Sequence, residues 1–406
     1  MARWLDGLHY SQPSSHPAIQ PSFFLFWGAP HGQFDYSMRI GIDFTPAIQQ
    51  QAGIGRYTRE LVRALARLDT TNRYVLFQAS RGAKEPAGSW PENFRVRSIP
   101  LTDRWLAILW QRLRLPVPVE TFTGAVDIFH SPDFVLPPVR HARTVLTVHD
   151  LSFLTTPETA DPRLREYLTG AVPRSVARAD HILADSRSTK QDLVTHLNAD
   201  PEQITVVYPG VDPRFRPLGE PAIAELCARY GLERPFILSV GTLQPRKNYP
   251  TLIVAFARLS SVDLVIAGGR GWLYQEIFET VDRLGMGKRV RFLGLVRDGD
   301  LPALYNAAEV LAMPSLYEGF GLPVLEALAC GTPVVTSDVS SLPEVAGDAA
   351  LLVSPHDVEG ISQALQRALT DQELRAALRE RGFIQAKQFT WQKAAETVLG
   401  IYQRLT

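Results

Sequence analysis

Short apolar runs alternate with segments of helical period along most of this chain, beginning at Met38. The first half contains the runs MRIGIDF, RYVLFQA, TVLTVHDL, HILADS and ITVVYPG, and the second half contains PFILSVG, VDLVIAGG, VRFLG, EVLAMPS, TPVVTSDV and ALLVSP. Apolar strands that are separated by helices are typical of parallel sheets, which helices cover on both faces. We therefore predict an α/β fold built on parallel sheets.

The alternation breaks once, at residues 208–221, which are rich in proline and glycine and show no steady period. A chain of 406 residues is also too long for one core, since single cores stop growing at roughly 250 to 300 residues. We predict two doubly wound, Rossmann-like domains, 38–215 and 216–385, that face a central cleft. A helix within 386–406 is expected to pack back toward the N-terminal domain.

Residues 1–37 contain proline, serine, histidine and scattered aromatic residues without a period of 2 or 3.6. We predict that they form an extension outside the core, that Met38 is the natural start, and that their removal leaves folding and activity nearly unchanged. The apolar run FFLFW at 23–27 is shorter than the roughly 7 to 15 residues of a signal-peptide core. A cytoplasmic protein is therefore expected.

Charge and cysteine content exclude several classes of function. Lysine plus arginine and aspartate plus glutamate both total 42, so no overall field attracts nucleic acid. Cys227 and Cys330 are too few for a disulfide framework and lack the partners of a zinc site, which fits a reducing compartment. The nine histidines show no metal-ligand pattern. We expect neither a bound metal nor a nucleic-acid partner.

The segment SLYEGFGLPVLEALACGTPVV, residues 315–335, carries Glu318 and Glu326 around a predicted helix from Leu322 to Cys330. Gly319 and Gly321 lie in the loop before this helix, where glycines and free N–H groups suit a phosphate. On one helix, eight positions would separate the carboxylates by about 12 Å, which exceeds both glycosidase spacings. Two separate roles on one extended ligand are therefore favoured, and a helix cap plus a solvated glutamate is the alternative.

A second group of candidate residues follows the first strand of the second domain. In LSVGTLQPRKNYPTLIVAF, residues 238–256, Thr242, Arg246 and Lys247 precede a helix that is predicted to begin near Tyr249. Arginine binds phosphate through two parallel hydrogen bonds and lysine binds it as a point charge, so this pair is suited to a diphosphate. An Arg-Lys pair in a loop can equally be solvated surface.

Two further motifs are predicted to lie in the first domain. Gly53 and Gly55 supply half of a dinucleotide fingerprint, but Thr58 occupies the place of the third glycine, which disfavours an NAD-dependent oxidoreductase. His149 and Asp150 end the strand TVLTVHD, at the edge where open sheets bind ligands. His130 is a weaker candidate of the same kind, and a structural role is the alternative for both histidines.

The motifs PRKN and EGFGLPVLE, together with GIGRY, VHD, ADSRSTKQDL, YPGVD, FLGLV and FTWQKAAETVL, occur in this order along the chain. In this combination the sequence resembles family 4 of the retaining glycosyltransferases, from Met38 almost to the end. The resemblance implies the two-domain GT-B fold and a nucleotide-sugar donor bound by the second domain. It does not specify the substrate.

The resemblance implies roles for individual residues of the second domain. Arg246 and Lys247 would neutralise the donor diphosphate, Glu318 would contact sugar hydroxyls, and Glu326 would bind the ribose. Thr242 stands where some relatives place a second arginine, which leaves one positive charge fewer. The remaining donor contacts would come from Leu295 and Val296 along the base, and from the loop residues Gly319, Phe320, Gly321 and Leu322 around sugar and phosphate.

The resemblance also implies that the first domain completes the site. A mobile loop would close over the donor phosphate and border the acceptor; it contains Gly53, Ile54, Gly55 and Arg56. His149 would lie beside the transferred sugar, with Asp150 on the acceptor side. For retention we favour front-face attack, in which the leaving phosphate takes the acceptor's proton, and a covalent intermediate stays open.

The motifs GTLQPRKN and GIGRY look most like those of bacterial mannosyltransferases, so GDP-mannose is the first choice of donor and a UDP-hexose the second. A nucleotide-sugar epimerase and a non-catalytic sugar-binding module are the alternatives. The acceptor is expected to be a glycan or a lipid-linked saccharide. Residues 103–119 show an apolar face at near-helical spacing together with Arg104, Arg112 and Arg114, which suits an anionic membrane surface or, alternatively, packing on the sheet.

Overall fold

The structure is a computed structural model that describes residues 37–50, 53–79, 90–233 and 235–406. The prediction that residues 1–37 are dispensable concerns residues that, apart from Ser37, lie outside these ranges. Within the ranges, none of the helices is both long enough and apolar enough to span a membrane.

The first domain is built on a sheet of seven parallel strands in the order β3-β2-β1-β4-β5-β6-β7. The strands are β1 Arg39–Asp43, β2 Arg73–Ala79, β3 Phe94–Ile99, β4 Ile128–Ser131, β5 Arg143–Val148, β6 His181–Ala184 and β7 Ile204–Val206. Its helices are α1 Thr45–Gln49, α2 Gly53–Leu68, α3 Asp103–Ala107, α4 Glu120–Thr123, α5 Ser152–Thr155, α6 Pro162–Val176 and α7 Arg187–Leu197. Two of these strands, β3 and β4, were not among the predicted runs: half of the edge strand β3 is exposed and polar, and β4 has only four residues, of which His130 and Ser131 are polar.

The second domain is built on six parallel strands in the order β10-β9-β8-β11-β12-β13. The strands are β8 Phe236–Val240, β9 Asp263–Ala267, β10 Val290–Gly294, β11 Val310–Met313, β12 Val334–Ser337 and β13 Leu351–Val353. Its helices are α8 Glu220–Tyr230, α9 Tyr249–Phe256, α10 Gln275–Arg283, α11 Leu301–Ala307, α12 Leu322–Cys330, α13 Leu342–Ala346, α14 Val358–Thr370 and α15 Gln372–Ala386.

Both sheets share the strand order of a doubly wound fold, so the predicted α/β fold of two Rossmann-like domains is confirmed. The strand order reverses between β1 and β4 in the first sheet and between β8 and β11 in the second. Ligands of such sheets bind outside the carboxyl ends of the strands at these switch points. Each domain therefore offers one natural ligand position.

The last helix, α16 Trp391–Leu405, packs on the first domain and not on the second. Trp391, Val398 and Tyr402 share a hydrophobic core with Ile40 of β1 and Leu61 of α2. The chain thus passes twice between the domains, and the two passages are joined by a hydrogen bond from the Val211 amide to the Phe389 carbonyl.

The predicted helix over residues 103–119 is shorter than expected. α3 continues into a wider π-helical turn, Ile108–Arg112, and helical structure ends there. Pro116 and Pro118 explain the end, because proline lacks an N–H and disfavours helix at the residue before it. The apolar face is divided: Leu106 is buried in the first domain, whereas Trp105 is 61% exposed.

Candidate active site

A cleft of about 370 Å³ lies between the two domains, where the loops after β5, β8 and β11 meet. Every predicted site residue lines this cleft except Gly55, His130, Leu295 and Val296. A larger groove of about 1230 Å³ runs between α2 and α15, but Arg56 is the only predicted site residue that borders it. Most of the residues that were predicted to bind the donor or to act in catalysis therefore lie together in the smaller cleft.

Arg246 and Lys247 both form ion pairs with Glu318 in the cleft. Nη1 of Arg246 donates to Oε2 of Glu318 at 2.8 Å, and Nζ of Lys247 donates to Oε1 at 2.7 Å. Burial favours the neutral acid, but the charges of Arg246 and Lys247 outweigh it and lower the pKa of Glu318 to about 2. Glu318 is therefore ionised at neutral pH and balances one of the two positive charges.

The loop that carries these two cations is fixed by Asn248. Pro245–Lys247 form a 3₁₀ turn after β8, and Asn248, with a φ of 57°, joins this turn to α9. The side-chain amide of Asn248 donates to the carbonyls of Pro314 and Pro355 at 2.9 and 2.7 Å. Asparagine tolerates this left-handed conformation better than most residues. The cations thus extend from an anchored backbone.

The loop before α12 contributes backbone N–H groups to the cleft. Within the described ranges, no residue accepts a hydrogen bond from the amides of Gly319, Phe320 or Gly321. Gly321 has a φ of 107°, which favours glycine, and α12 begins directly after it. A Cβ on Gly319 would lie 2.1 Å from the His149 carbonyl oxygen, so only glycine fits this close approach. Free amides at a helix start form an anion site.

Glu326 lies in the second turn of α12 and joins the two domains. It forms an ion pair with Arg56 of α2 and accepts a hydrogen bond from the Tyr305 hydroxyl at 2.7 Å. Arg56 also pairs with Asp298 at 3.0 Å. Burial raises the pKa of Glu326, while the Arg56 guanidinium opposes this shift. A ribose hydroxyl could bond to Glu326 only if Arg56 or Tyr305 shared or released the carboxylate.

Both ring nitrogens of His149 are hydrogen-bonded. Nδ1 lies 2.7 Å from Oδ2 of Asp185, and Nε2 lies 2.8 Å from the Pro132 carbonyl oxygen. Since both partners are acceptors, both nitrogens donate and the ring is protonated. Burial opposes this charge, but the Asp185 carboxylate outweighs it and raises the pKa of His149 to about 9. A bond from the ring to a sugar would have to replace one of these contacts.

Four residues that were predicted as site residues lie away from the cleft. Val296 packs in the hydrophobic core of the second domain, while its neighbour Leu295 is 67% exposed. A Cβ on Gly55 would lie 1.8 Å from the Gln50 carbonyl oxygen, so Gly55 serves the close packing of α2. His130 is fully buried between Tyr402 and Thr147, and burial lowers its pKa to about 3. Its role is structural.

Asp185 and Gln244 also line the cleft, although neither was predicted as a site residue. Asp185 directly follows β6, and His149 directly follows the neighbouring strand β5. Because the ends of adjacent parallel strands lie side by side, the sequence could have indicated that Asp185 lies near His149. Gln244 is 4% exposed, and its Oε1 has no hydrogen-bond partner among the residues that the structure describes. It precedes the basic pair in the predicted diphosphate loop, where an unpaired buried acceptor suits a ligand hydroxyl or amide.

The chain also carries an Asp-x-Asp pair, Asp298 and Asp300, which can hold a divalent ion in other proteins. Here Asp298 pairs with Arg56, and Asp300 pairs with Arg229 at 2.6 Å and accepts from the Tyr230 hydroxyl at 2.8 Å. Neither carboxylate lines the cleft. In the described part of the chain, no three acidic, histidine or cysteine side chains are arranged to bind a metal. Metal independence stays a prediction.

Comparison with known families gives two matches that follow each other along the chain. The sequence model of Glycosyltransferase Family 4 matches residues 52–215, and that of Glycosyl transferases group 1 matches residues 229–385. The first match covers most of the first domain, and the second covers the sheet and helices that carry Arg246, Lys247, Glu318 and Glu326.

Individual relatives agree with this assignment. The chain is 33% identical to the O-antigen chain mannosyltransferase B of Escherichia coli, over 91% of this chain and 100% of that protein. It is 30% identical to a D-inositol 3-phosphate glycosyltransferase of Corynebacterium aurimucosum, over 88% and 92% of the two chains. The crystal structure of Anabaena Alr3699/HepE in complex with UDP-glucose superposes with a TM-score of 0.70 at 18% identity, covering 90% of this chain and all of that one.

The two family matches cover most of the chain, and the first relative matches along its full length. The paired sheets, the cationic loop after β8 and the glutamate loop after β11 stand in the order that the resemblance implied. The chain therefore belongs to the GT-B glycosyltransferases with family 4 and group 1 domains, and it is a hexosyltransferase.

Proposed function

We propose that this protein transfers a mannosyl group from GDP-mannose to a hydroxyl of a glycan or lipid-linked acceptor, with retention of the donor's α configuration. The identity to the Escherichia coli mannosyltransferase over the whole of that protein supports the sugar. One observation carries the donor class: Arg246 and Lys247 lie partly buried in the cleft, beside the amides of Gly319 and Phe320, which donate to no residue of the described ranges.

This arrangement suits a diphosphate for an electrostatic reason. Glu318 is the internal counterion of Arg246 and Lys247, so a diphosphate that enters the cleft would compete with one carboxylate for two cations. Charge-assisted hydrogen bonds contribute roughly 1.5 to 3 kcal/mol each, and the free amides add further donors. Glu318, once it is released, can accept hydrogen bonds from the sugar hydroxyls.

The same electrostatics favour front-face attack. A carboxylate whose pKa is about 2 is a weak base and a weak nucleophile, so Glu318 suits positioning better than covalent catalysis. In the proposed step the acceptor oxygen bonds to the anomeric carbon while the bond from that carbon to the phosphate oxygen breaks. The acceptor's proton passes to the departing phosphate, and Arg246 and Lys247 stabilise the charge that develops there.

The nucleotide base of the donor is a more specific part of the proposal. A UDP-hexose is the second candidate, because the similar Anabaena Alr3699/HepE structure is a complex with UDP-glucose. A nucleotide-sugar epimerase would convert its donor without an acceptor and release no nucleotide. Product analysis therefore separates transfer from epimerisation.

The test is a donor screen by thermal shift with GDP, UDP, GDP-mannose and UDP-glucose, followed by an assay of released nucleotide. A true ligand at about 100 times its Kd stabilises the fold by roughly 2.7 kcal/mol. We expect stabilisation by GDP and GDP-mannose, and an α-linked product by NMR. Stabilisation by UDP alone would reject the mannosyl donor, and a β-linked product would reject retention.

A further inference from the structure

A second cavity, of about 550 Å³, lies on the first domain beside the donor cleft. Gln50 and Ile54 line both spaces, so the two are adjacent. The second cavity is located at the switch point of the first sheet, between β1 and β4, just as the donor cleft lies at that of the second. Open α/β sheets bind ligands at this position.

Two carboxylates mark the strand ends at this switch point. Asp43 is the last residue of β1, and Asp133 follows β4 by two positions. Oδ1 of Asp43 accepts from the Thr45 amide at 2.9 Å, and Oδ2 of Asp133 accepts from the side-chain amide of Gln50 at 3.0 Å. The Thr45 side chain also bonds to the Asp43 carboxylate, whereas Oδ1 of Asp133 has no hydrogen-bond partner among the residues that the structure describes. Since a carboxylate has about four lone-pair sites, both groups can accept further hydrogen bonds in the cavity.

The opposite wall is apolar and aromatic. Leu164 and Tyr167 of α6 line the cavity and are 40% and 37% exposed, so this face of α6 is not covered by the core. Trp272, from the second domain, also lines it and is held by a hydrogen bond from its indole nitrogen to the Thr159 carbonyl at 2.8 Å. An apolar and aromatic wall that faces hydrogen-bond acceptors suits a ligand that has apolar C–H groups on its faces and hydroxyl groups at its edges.

The charge of this cavity is opposite to that of the donor cleft. Asp43, Asp103 and Asp133 line it, and Arg104 is its one cation within the described ranges. Burial, with a smaller contribution from the neighbouring carboxylates of Asp133 and Asp103, raises the pKa of Asp43 to about 6, although hydrogen bonds from Thr45 oppose this shift. These carboxylates already repel one another, so a phosphate beside them would add like-charge repulsion. Hydroxyl groups, in contrast, would donate to them.

We propose that this second cavity binds the acceptor as a neutral saccharide, with Asp43 and Asp133 accepting hydrogen bonds from its hydroxyls and selecting against phosphorylated acceptors. The assignment rests on the proposed glycosyl transfer, since only a transferase needs an acceptor here. The shared wall of Gln50 and Ile54 lets one hydroxyl of the bound saccharide reach the donor sugar. Asp43 and Asp133 thus determine acceptor specificity.

Saturation-transfer NMR on the full chain tests binding without any donor. The probes are the methyl α-glycosides of mannose, glucose and galactose, each paired with its 6-phosphate. We expect contacts to at least one neutral glycoside and none to its phosphate. Asp43→Asn and Asp133→Asn keep the side-chain shape and remove the charge, and each should weaken neutral binding about 10-fold. Asp127→Asn, at an exposed position just before β4 and outside the cavity, is the matched control.

A transfer assay then gives the acceptor KM with whichever donor stabilises the protein. We expect the two variants to raise the KM for the neutral acceptor and to narrow its advantage over the phosphate. Equal use of both acceptors by the wild type, or no binding of any neutral glycoside, overturns the assignment, as do variants with wild-type melting temperature and unchanged acceptor binding. Failure of every donor to stabilise or turn over would instead reject the proposed function, because the NMR measurement does not depend on a donor.

Discussion

Arg56 and Glu326 are 270 positions apart in the chain and form an ion pair that joins the two domains. The Glu326 side chain is 3% exposed and that of Arg56 is 14% exposed, so the pair is largely removed from water. Residues 53–56 were predicted to form a mobile loop over the donor, but this prediction is wrong, because α2 begins at Gly53 and Arg56 lies in its first turn. The pair therefore joins the start of α2 to α12, the helix that was predicted to hold the ribose.

Replacing Arg56 with alanine should destabilise the protein, because among the described residues Glu326 would keep only the Tyr305 hydroxyl as a partner. Loss of one partner of a buried pair costs about 3 kcal/mol, the lower end of the usual range, since Arg56 retains some exposure. Urea denaturation measures the free energy of unfolding. Asp298→Ala is the control, because the Asp298 side chain is 47% exposed and such pairs contribute about 0 to 1 kcal/mol. Equal losses in both variants would contradict this account.

Lys247→Ala should reduce turnover about 100-fold or more, because the lost charge matters most as the diphosphate departs. The fold should survive, since Arg246 still neutralises Glu318. Release of nucleotide from the donor measures turnover, and the melting temperature checks the fold. Lys288→Ala, at an exposed position outside the cleft, should behave like the wild type. Wild-type turnover by Lys247→Ala would show that Lys247 has no catalytic role.

The charge on His149 should make stability depend on pH. Its pKa is about 9 in the folded protein against an ordinary value of 6.5, so its contribution is complete below pH 6.5 and is lost as the pH rises through 9. His149→Gln cannot carry this charge. The difference in unfolding free energy between wild type and His149→Gln should therefore shrink by up to about 3 kcal/mol between pH 6 and pH 10. A difference that stays constant over this range would show that His149 is not protonated in the fold.

The exposed part of residues 103–115 should bind anionic membranes weakly. Trp105 and Leu113 are 61% and 60% exposed, and the exposed Arg112 and Arg114 lie beside them. Each basic residue near such a surface contributes about 1 kcal/mol, so changing both arginines to glutamine should weaken binding about 30-fold. Co-sedimentation with anionic and neutral vesicles at low salt measures this. Arg95→Gln with Arg97→Gln, on exposed positions of β3, is the control pair, and equal recovery with both vesicle types would disprove membrane binding.

Local signals in the sequence predicted the helices near the donor site. The bounds of α12, Leu322 to Cys330, were predicted as observed, because Gly321 precedes the helix, Pro323 fits its first turn and Gly331 follows it. The start of α9 at Tyr249 was predicted for similar reasons. The helix that was predicted over residues 103–119 was too long, because the spacing of its apolar residues was given more weight than Pro116 and Pro118.

The pairings within the site could not be predicted in the same way. No local pattern indicates that Arg56 reaches Glu326, since that contact depends on how far the domains close. The position of Val296 in the core depends on the turn between β10 and α11, which apolar character alone does not fix. The hydrogen bond between His149 and Asp185 could have been predicted, because the two residues follow neighbouring parallel strands.

The return of α16 to the first domain affects how the chain folds during synthesis. Trp391, Val398 and Tyr402 complete a core whose other members come from β1 and α2, so the first half of the protein stays unfinished until the ribosome has passed residue 402. Its apolar face is exposed to chaperones or to aggregation throughout translation of the second half. A fragment of residues 38–215 should therefore lack a cooperative melting transition by circular dichroism, and a synthetic peptide of residues 387–406 should restore it. Cooperative melting of the fragment alone would show that the first domain folds without its last helix.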